Sequence, residues 1–309
     1  MKDISIWFPG FNRKAISFTI DDGNVVLDKK FLDIVRPAGI RGTFNIVGNI
    51  MKNRKIPYEE IRAFYNGYEV SNHCNTHPFA INPDVNYEIV EADAEIIPSR
   101  ERLHKTETKG VYAFHYLRDD KLITSHIADA DTYIKYIEEG KKDVEEIFGE
   151  GTVKAFVWPY GEQQNPQIHE YLKNSGYESV RRTGCDGFDL PEDRMRWSYC
   201  ANYTNLIEKA EDFENIADDG KLRWFCFGVH SHDFENNNCW HLLIKFVEDF
   251  GNRPEDFWYA TVHDVFEYED AAKSLVYTDE EIINNSKVDV YLTIDGKRTT
   301  LMAGARVKI

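Results

Sequence analysis

The sequence predicts an α/β protein, built as one closed or nearly closed barrel of seven βα units. Short apolar runs rich in β-branched residues alternate with longer segments of helical character through most of the 309-residue chain, a pattern typical of βαβ units that form a parallel sheet. The hydrophobic share of 42% and the aromatic share of 14% are enough for a substantial core. Seven such units within this length favour one barrel over two open sheets.

The apolar runs predict strands, in order, at residues 16–20, 43–47, 69–72, 153–158, 179–182, 223–230 and 257–262. The segments between and after them predict helices at residues 28–35, 58–65, 166–174, about 240–250 and 263–273. Pro37 ends the first helix because proline cannot continue it. Gly67 and Gly176 follow the second and third helices, where glycine commonly ends a helix.

Two long segments interrupt this alternation. Residues 79–128 contain a predicted hairpin around residues 112–116 and lead into a charged helix at about 130–148. Residues 183–222 are rich in glycine, aspartate and aromatic residues. Both segments follow barrel strands, so we expect them to emerge on the face where the strands end. Connections of this length in a compact fold are usually functional.

The C-terminal residues depart from the βα pattern. Residues 288–294 and 298–309 flank Asp295-Gly296, which predicts a β-hairpin with an Asp-Gly turn. The predicted division of the chain is a barrel at residues 1–275, interrupted by an insertion at about 79–128, and a small β appendage at residues 276–309.

The charge and cysteine content limit the classes of partner and location. The formal net charge of −16 argues against a nucleic-acid partner, because such an interface needs a basic surface. No apolar stretch approaches the roughly 20 residues of a membrane span, and residues 1–30 show no signal peptide. Five cysteines without a CxxC pair predict reduced thiols. We therefore expect a cytoplasmic protein without a membrane partner, and the sequence assigns no oligomeric state.

Three polar motifs come directly after predicted strands. They are Thr19-Ile20-Asp21-Asp22-Gly23, Asn72-His73-Cys74-Asn75-Thr76-His77-Pro78 and Gly228-Val229-His230. Taken alone, the first is more often a turn and the histidine pair is more often accidental. In a parallel barrel, however, such strand ends lie on one face, where active sites are built. Two carboxylates and three imidazoles there predict a metal-dependent hydrolase, with an open metal position and separate groups for proton transfer.

The ordered set of motifs resembles the polysaccharide deacetylases, also called the NodB-homology or family 4 carbohydrate esterases. Residues 19–23 resemble the first motif of that family, and residues 73–77 resemble the second. Residues 158–161, Trp-Pro-Tyr-Gly, match the end of the third motif, and residues 229–230 match the fifth. The resemblance covers nearly everything except the C-terminal tail.

The resemblance implies a distorted (β/α)7 barrel of the polysaccharide deacetylase type and a metal-dependent deacetylase. The implied reaction removes an N-linked or O-linked acetyl group from a carbohydrate, acting on carbon–nitrogen amide bonds other than peptide bonds. Asp22, His73 and His77 would hold one divalent ion, for which zinc is our expectation. Three protein ligands leave a position open for water, as in catalytic zinc sites.

The resemblance also implies roles for other residues. Asp21 would be the general base, and His230 would protonate the departing amine as the general acid. The metal and the backbone N–H of Tyr160 would stabilise the oxyanion. Trp158, Tyr160 and Trp197 are candidates for walls that face sugar rings, although aromatic residues at these positions also fit a core.

One position departs from the family pattern. The third motif of the family opens with an arginine that orients the catalytic aspartate, and Val157 stands at that position. Arg181 and Arg182, at the end of the fifth predicted strand, are candidates to approach the same carboxylate from a neighbouring position. A solvated strand end is the alternative for both.

Two further assignments are open. The fourth motif of the family, an aspartate near a tryptophan, has Asp189, Asp193 and Trp197 as candidates. His232 competes with His230 for the role of acid, because residues two apart in a strand share a face. We prefer His230, which matches the motif.

Removal of an acetyl group from a carbohydrate is the preferred function. The first alternative is a hydrolase of a small non-carbohydrate amide on the same scaffold, so the expected partner is a carbohydrate or a small acylated molecule. The second alternative is a catalytically silent carbohydrate-binding protein. Retention of both aspartates and both histidines argues against silence, because a binding protein needs no such combination.

Overall fold

The observed elements follow the predicted alternation, and the computed structural model describes residues 2–309. In chain order the strands are β1 (Ile4–Trp7), β2 (Lys14–Asp22), β3 (Gly42–Ile46), β4 (Glu69–Asn72), β5 (Phe79–Ala80), β6 (Glu88–Val90), β7 (Ser99–Lys105), β8 (Val111–Arg118), β9 (Lys121–Ala128), β10 (Ala155–Val157), β11 (Ser179–Arg181), β12 (Arg223–His230), β13 (Phe257–Tyr259), β14 (Val276–Tyr277), β15 (Glu281–Ile283), β16 (Val290–Ile294), β17 (Lys297–Leu301) and β18 (Arg306–Lys308). The helices are α1 (Val25–Val35), α2 (Gly48–Lys52), α3 (Tyr58–Tyr65), α4 (Ala130–Phe148), α5 (Pro166–Asn174), α6 (Leu206–Glu214), α7 (Ser231–Asn236), α8 (Trp240–Phe250) and α9 (Val262–Lys273).

All seven predicted barrel strands are present and pair in parallel in one sheet. Their order is β11-β10-β4-β3-β2-β12, and β13 also pairs with β2. Because β12 runs along nearly the whole of one edge of β2, β13 and β3 share the other edge. β13 pairs with residues 14–16 of β2, and β3 pairs with residues 18–22. The sheet therefore forks at β2, and this fork distorts the predicted (β/α)7 barrel.

An irregular segment joins the two ends of the sheet. The Arg182 N–H, next to β11, donates to the Trp197 carbonyl at 2.9 Å, and the Gly228 N–H in β12 donates to the Ala201 carbonyl at 2.8 Å. Residues 197–201 thus lie between β11 and β12. These residues close the barrel between β11 and β12, where a regular strand is absent.

The interior of the barrel is apolar and aromatic. Phe18 of β2, Phe44 of β3, and Phe225 and Phe227 of β12 have no exposed surface. The rings of Phe18 and Phe44 meet edge to face with centroids 5.4 Å apart. Each buried ring of this kind contributes about 1.5–3 kcal/mol to stability. This packing fixes the strands whose polar ends form the site.

Residues 79–128 fold into a separate five-stranded sheet in the order β5-β9-β8-β7-β6. The predicted hairpin around residues 112–116 is present, because β8 pairs antiparallel with both β7 and β9. Leu103, Phe114 and Ile127 form a small core within this sheet. The interruption of the barrel is therefore a folded unit.

The predicted C-terminal hairpin is present, and the start of the chain joins it. β16 and β17 pair antiparallel around Asp295 and Gly296, whose φ angles of 48° and 79° suit an Asp-Gly turn. β1 pairs with β16 and so extends this sheet. The predicted arm at residues 298–309 is divided, because β17 ends at Leu301 and β18 pairs with β15. The boundary between barrel and appendage after residue 275 stays a prediction.

The five cysteines are free thiols, as predicted. Cys185 is exposed, and the other four are buried. No helix among the described residues has both the length and the apolar character needed to cross a membrane. The cytoplasmic location stays a prediction.

The carboxyl group of Asp28 is buried where α1 packs against α3. Asp28 has no exposed surface, and Tyr65 Oη donates a 2.7 Å hydrogen bond to its Oδ2. Burial raises the pKa of Asp28 from 3.8 to about 7. The folded protein therefore favours the protonated form of this group.

We expect this group to make the protein less stable as the pH rises from about 4 to about 7. The unfolded chain releases the Asp28 proton near the ordinary pKa of 3.8, whereas the folded chain keeps it until about pH 7. At about 1.4 kcal/mol for each pKa unit, the loss is on the order of 4 kcal/mol at most. We expect the free energy of unfolding, measured with urea, to fall less between pH 5 and pH 8 in Asp28→Asn than in the wild type. Asp33→Asn, at an exposed position of α1, should behave like the wild type, and an unchanged decline in Asp28→Asn would contradict the prediction.

Candidate metal centre and active site

The three predicted motifs meet at the carboxyl end of the parallel sheet. Asp21 and Asp22 end β2, His73 follows β4 directly, and His230 ends β12 as the register partner of Asp21. The loop after β4 returns His77 to the same place, with its Nε2 atom 3.1 Å from His73 Nε2. The structure therefore brings together the five side chains predicted for metal binding and proton transfer.

Asp22, His73 and His77 have the spacing of a metal site. Asp22 Oδ1 lies 3.6 Å from His73 Nε2 and 3.5 Å from His77 Nε2. Ligand atoms bound about 2.0–2.1 Å from a tetrahedral zinc ion lie about 3.3 Å from one another, so these three atoms fit such an ion with little movement. One carboxylate and two imidazoles are also donors that suit zinc.

Burial and hydrogen bonding favour the form of His73 and His77 that can bind a metal. His73 is 1% exposed, and its Nδ1 atom lies 2.9 Å from the Val157 carbonyl, which accepts the ring hydrogen and leaves Nε2 free. Burial lowers the pKa of His73, and burial together with repulsion between the protonated forms of the two rings lowers the pKa of His77. Both rings are therefore in the neutral form that binds a metal.

Four residues around this site have left-handed backbone conformations. The φ angles are 78° at Asp22, 66° at Cys74, 56° at His77 and 58° at Tyr160. Each such conformation at a non-glycine residue costs about 1–3 kcal/mol, and such residues cluster at functional sites. Their concentration here supports the assignment of a site to this end of the barrel.

Asp21 is held as an ionised carboxylate beside the metal ligands. It is 8% exposed, accepts a 2.6 Å hydrogen bond from Asn45 Nδ2, and forms an ion pair with Arg181. Burial raises the pKa of Asp21, but the charge of Arg181, with smaller effects of His73 and His230, lowers it well below its ordinary value. A fixed carboxylate at this position is suited to receive a proton from a nearby water.

Of the two arginine candidates, Arg181 approaches the Asp21 carboxylate, from the strand next to Val157. β10 and β11 pair in parallel with Val157 and Arg181 as direct partners. The two positions are therefore neighbours on adjacent strands, and a long side chain from β11 reaches the Asp21 carboxylate. Arg181 is 1% exposed, so this ion pair is buried. Arg182, the other candidate, instead bonds to Asp186 at 2.6 Å.

His230 has the environment of a proton donor. Its Nδ1 atom lies 3.0 Å from Asp233 Oδ2, and its Nε2 atom faces Asp22 Oδ2 at 4.0 Å. Burial lowers the pKa of His230, but the Asp233 hydrogen bond and the charges of Asp21 and Asp22 raise it to about 9. The ring is therefore protonated at neutral pH, which is the form that a general acid needs.

His232 lies beside His230. The two rings stack with centroids 4.6 Å apart, and His232 Nδ1 lies 3.9 Å from Asp22 Oδ2. Its Nε2 atom is 3.9 Å from Asp233 Oδ1, beyond hydrogen-bonding distance, whereas His230 is bonded to Asp233. This difference favours His230 as the acid.

Tyr160 forms an exposed aromatic wall next to the metal ligands. Its side chain is half exposed, with its ring edge-on to His77 at 4.4 Å and stacked on Phe79 of the inserted sheet at 3.8 Å. The Tyr160 N–H makes no hydrogen bond within residues 2–309. The ring can therefore face a sugar, and the N–H is free to stabilise an oxyanion.

Trp158 and Trp197 belong to the core, so their prediction as sugar-facing walls is wrong. Trp158 is 3% exposed and packs against Phe156 with ring centroids 5.4 Å apart. Trp197 is 2% exposed and packs against Trp224 with centroids 5.1 Å apart. Burial leaves neither ring a face for a ligand.

The carboxylate bonded to His230 is that of Asp233, and neither aspartate considered for the fourth motif lies there. Asp189 pairs with an arginine at the surface, and Asp193 caps a short 3₁₀ turn. Asp233 stands three residues after His230 at the start of α7, which is the spacing of a capping box and a usable sequence signal. The sequence analysis also missed Asn45, which bonds to Asp21. Asn45 is a polar residue within the buried strand β3, and this is a signal that could have identified it.

Helix α4 supports the loop that carries the histidine pair. A Cβ atom on Gly140 of α4 would lie 2.6 Å from the Cys74 carbonyl carbon and 2.5 Å from Asn72 Oδ1. These distances are too short for real contacts, and a backbone atom cannot turn away as a side chain can. The loop that holds His73 and His77 therefore depends on a glycine at this position.

We expect Gly140→Ala to weaken metal binding. Alanine favours an isolated helix by about 1 kcal/mol over glycine, but overpacking costs about 1–3 kcal/mol and here displaces the histidine loop. Metal affinity, measured by competition with a chelator, should fall while the helical circular dichroism is retained. Lys135→Ala, on the exposed face of α4, is the matched control. Equal affinity in Gly140→Ala and the wild type would contradict the prediction.

The chain matches a protein family in sequence and a solved structure in fold. The sequence profile of the polysaccharide deacetylase family matches residues 9–180. No curated protein matches the chain. The structure of a protein from Mycobacterium smegmatis, described as a putative polysaccharide deacetylase, is 13% identical, with a TM-score of 0.55 over 90% of this chain and 99% of that one.

Two further solved structures have lower TM-scores. A family 4 acetyl xylan esterase from Clostridium thermocellum, in complex with a cobalt ion, is 15% identical, with a TM-score of 0.43 over 82% of this chain and 90% of its own. The peptidoglycan deacetylase PdaC from Bacillus subtilis is 16% identical, with a TM-score of 0.44 over 85% and 95%. Because the family profile covers more than half of the 309 residues, the protein belongs to the polysaccharide deacetylase family.

Proposed function

We propose that the protein is a metal-dependent hydrolase that removes an N-linked or O-linked acetyl group from a carbohydrate. Membership of the polysaccharide deacetylase family supports the reaction class. The observation that carries the finer proposal is the convergence of Asp22, His73 and His77 on one point, beside the register partners Asp21 and His230.

Asp22, His73 and His77 would hold the divalent ion, for which we expect zinc. When bound, such an ion polarises the acetyl carbonyl and lowers the pKa of a water in its open position. The burial of His73 and its hydrogen bond to Val157 keep the ligand set fixed. The free N–H of Tyr160 adds a donor for the negative charge that develops on the carbonyl oxygen.

Asp21 receives the proton from the attacking water. Arg181 and Asn45 hold its carboxylate in one orientation, so the base needs no rearrangement before it reacts. His230 then donates a proton from Nε2 to the departing nitrogen or oxygen. Asp233 holds the Nδ1 side of the same ring, which directs Nε2 into the site.

The exposed ring of Tyr160 supports a carbohydrate as the substrate. It lies next to His77, and it stacks on the partly buried Phe79 with an interplanar angle of 2°. A flat aromatic surface suits the apolar face of a sugar ring. A small amide without a ring would leave this surface unused.

An acetate-release assay tests this function. The zinc-loaded protein is incubated with a panel of N-acetylated and O-acetylated saccharides and with small acylated amides that contain no sugar. We expect acetate from saccharides, little from the small amides, and none from an Asp22→Ala control. Acetate released only from the small amides would contradict a carbohydrate substrate and favour the small-amide alternative. No acetate from any compound would favour a silent carbohydrate-binding protein.

A further inference from the structure

A second pair of imidazoles faces the carboxylate of Asp22. Its Oδ1 atom points to His73 and His77, whereas Oδ2 lies 4.0 Å from His230 Nε2 and 3.9 Å from His232 Nδ1. The three atoms of this outer set lie within 4.8 Å of one another. Two sets of metal donors therefore share one bridging carboxylate.

Asp233 is hydrogen-bonded to one imidazole of the outer set, that of His230, and lies near the other. Its Oδ2 atom is 3.0 Å from His230 Nδ1, and its Oδ1 atom is 3.9 Å from His232 Nε2. Each ring therefore turns one nitrogen toward Asp22 and the other toward Asp233. A carboxylate behind a histidine is the usual support of a metal-binding imidazole, because it fixes the tautomer and makes the other nitrogen a better donor.

The two sets differ in spacing and in exposure. The donor distances of the inner set are close to the roughly 3.3 Å expected around a tetrahedral ion, whereas the distances from Asp22 to the two outer rings must close by roughly 0.6–0.7 Å. The side chains of His230 and His232 are 36% and 35% exposed, compared with 1% for His73. The outer set is therefore accessible from solvent and less well prepared, so it should bind an ion more weakly and fill second.

We propose that Asp22, His230 and His232 form a second divalent-cation site whose occupancy inhibits the enzyme. This inference rests on the proposed function, in which His230 Nε2 carries the proton that the leaving group receives. One nitrogen lone pair cannot hold a proton and a metal ion together. An ion in the outer site therefore removes the acid while the inner site stays loaded.

Zinc binding to the metal-stripped full chain tests the site directly. Isothermal titration calorimetry should show two sites in the wild type, of which the second is weaker. His232→Asn should lose the second site and keep the first, and Asp233→Asn should weaken the second. His241→Ala, an exposed histidine of α8, is the matched control and should bind as the wild type does. A cobalt titration should show a second, distinct absorption change in the wild type that is absent from His232→Asn.

Turnover at rising zinc gives the second readout. In the wild type, excess zinc should lower turnover by about 10²–10⁴-fold, the usual contribution of one positioned acid. In His230→Ala, excess zinc should cause no further loss of turnover. In His232→Asn, turnover at excess zinc should stay close to turnover at one zinc equivalent.

Specific outcomes separate failure of this site from failure of the proposed function. A wild type that binds one ion at every zinc concentration and stays active would overturn the second site and leave the function intact. Two sites that survive in His232→Asn would also overturn the assignment. A zinc-loaded wild type that releases no acetate at one equivalent would contradict the proposed function itself.

Discussion

Asp21→Asn is expected to keep the metal and to lose nearly all turnover. Asparagine has nearly the same shape as aspartate but cannot accept a proton from the attacking water, and the loss of one positioned base is about 10²–10⁴-fold in rate. Turnover is measured by acetate release, and bound metal by elemental analysis of the same sample. If Asp21→Asn stripped the metal, the roles assigned to Asp21 and Asp22 would be exchanged.

The change at Asp21 also leaves Arg181 buried without its charged partner. Breaking a buried ion pair from one side costs about 3–5 kcal/mol, so thermal unfolding must be followed in the variant. Arg181→Lys provides a comparison, because it keeps the positive charge but changes the geometry around Asp21. We expect this variant to retain metal and to lose turnover through kcat more than through KM, since Arg181 orients the base and is not placed against the substrate.

His230→Ala is expected to keep the metal and to lose about 10²–10⁴-fold in turnover on acetylated amines, the usual contribution of a positioned acid. An unprotonated amide nitrogen leaves poorly, so this loss depends on the leaving group. An activated ester such as 4-nitrophenyl acetate needs no proton on departure and should be spared. Asp21→Asn, by contrast, should lose turnover on both substrates.

His232→Ala is the comparison for the acid. If it were more damaging than His230→Ala on acetylated amines, the acid would be His232. Equal losses of His230→Ala on the amine and on the activated ester would contradict an acid role for His230. Both variants need their metal content measured at one zinc equivalent, so that a loss of acid is not confused with a loss of metal.

Sequence patterns located the barrel strands and the polar motifs at their ends because local signals carry that information. The run from Ile16 to Ile20 is apolar and β-branched, and it stops at two carboxylates. A parallel barrel places such strand ends on one face, so topology predicted that the motifs meet, whereas the choice of Asp22, His73 and His77 as one set came from the family resemblance.

The remaining features depend on distant pairing. Arg181 and Arg182 are equivalent in sequence, and only the register of β11 against Val157 in β10 selects Arg181 as the partner of Asp21. The pairing of β1 with β16 joins residues near opposite ends of the chain, which no local pattern indicates.

The local sequence also does not predict whether an aromatic ring faces the core or the solvent. Trp158 and Tyr160 are two residues apart, yet the first packs in the core and the second is half exposed. The left-handed backbone at Tyr160 turns the chain there and breaks the alternation that would apply in a strand. The residue type alone therefore does not distinguish a buried aromatic ring from an exposed one.

Metal content is the most direct test of the central claim, that Asp22, His73 and His77 form the catalytic metal site. Protein loaded with zinc and dialysed against metal-free buffer retains only tightly held ions, which elemental analysis then counts. We predict one ion per chain in the wild type and in the His241→Ala control, and none in His73→Ala or His77→Ala. Equal metal content in all four proteins would contradict the account.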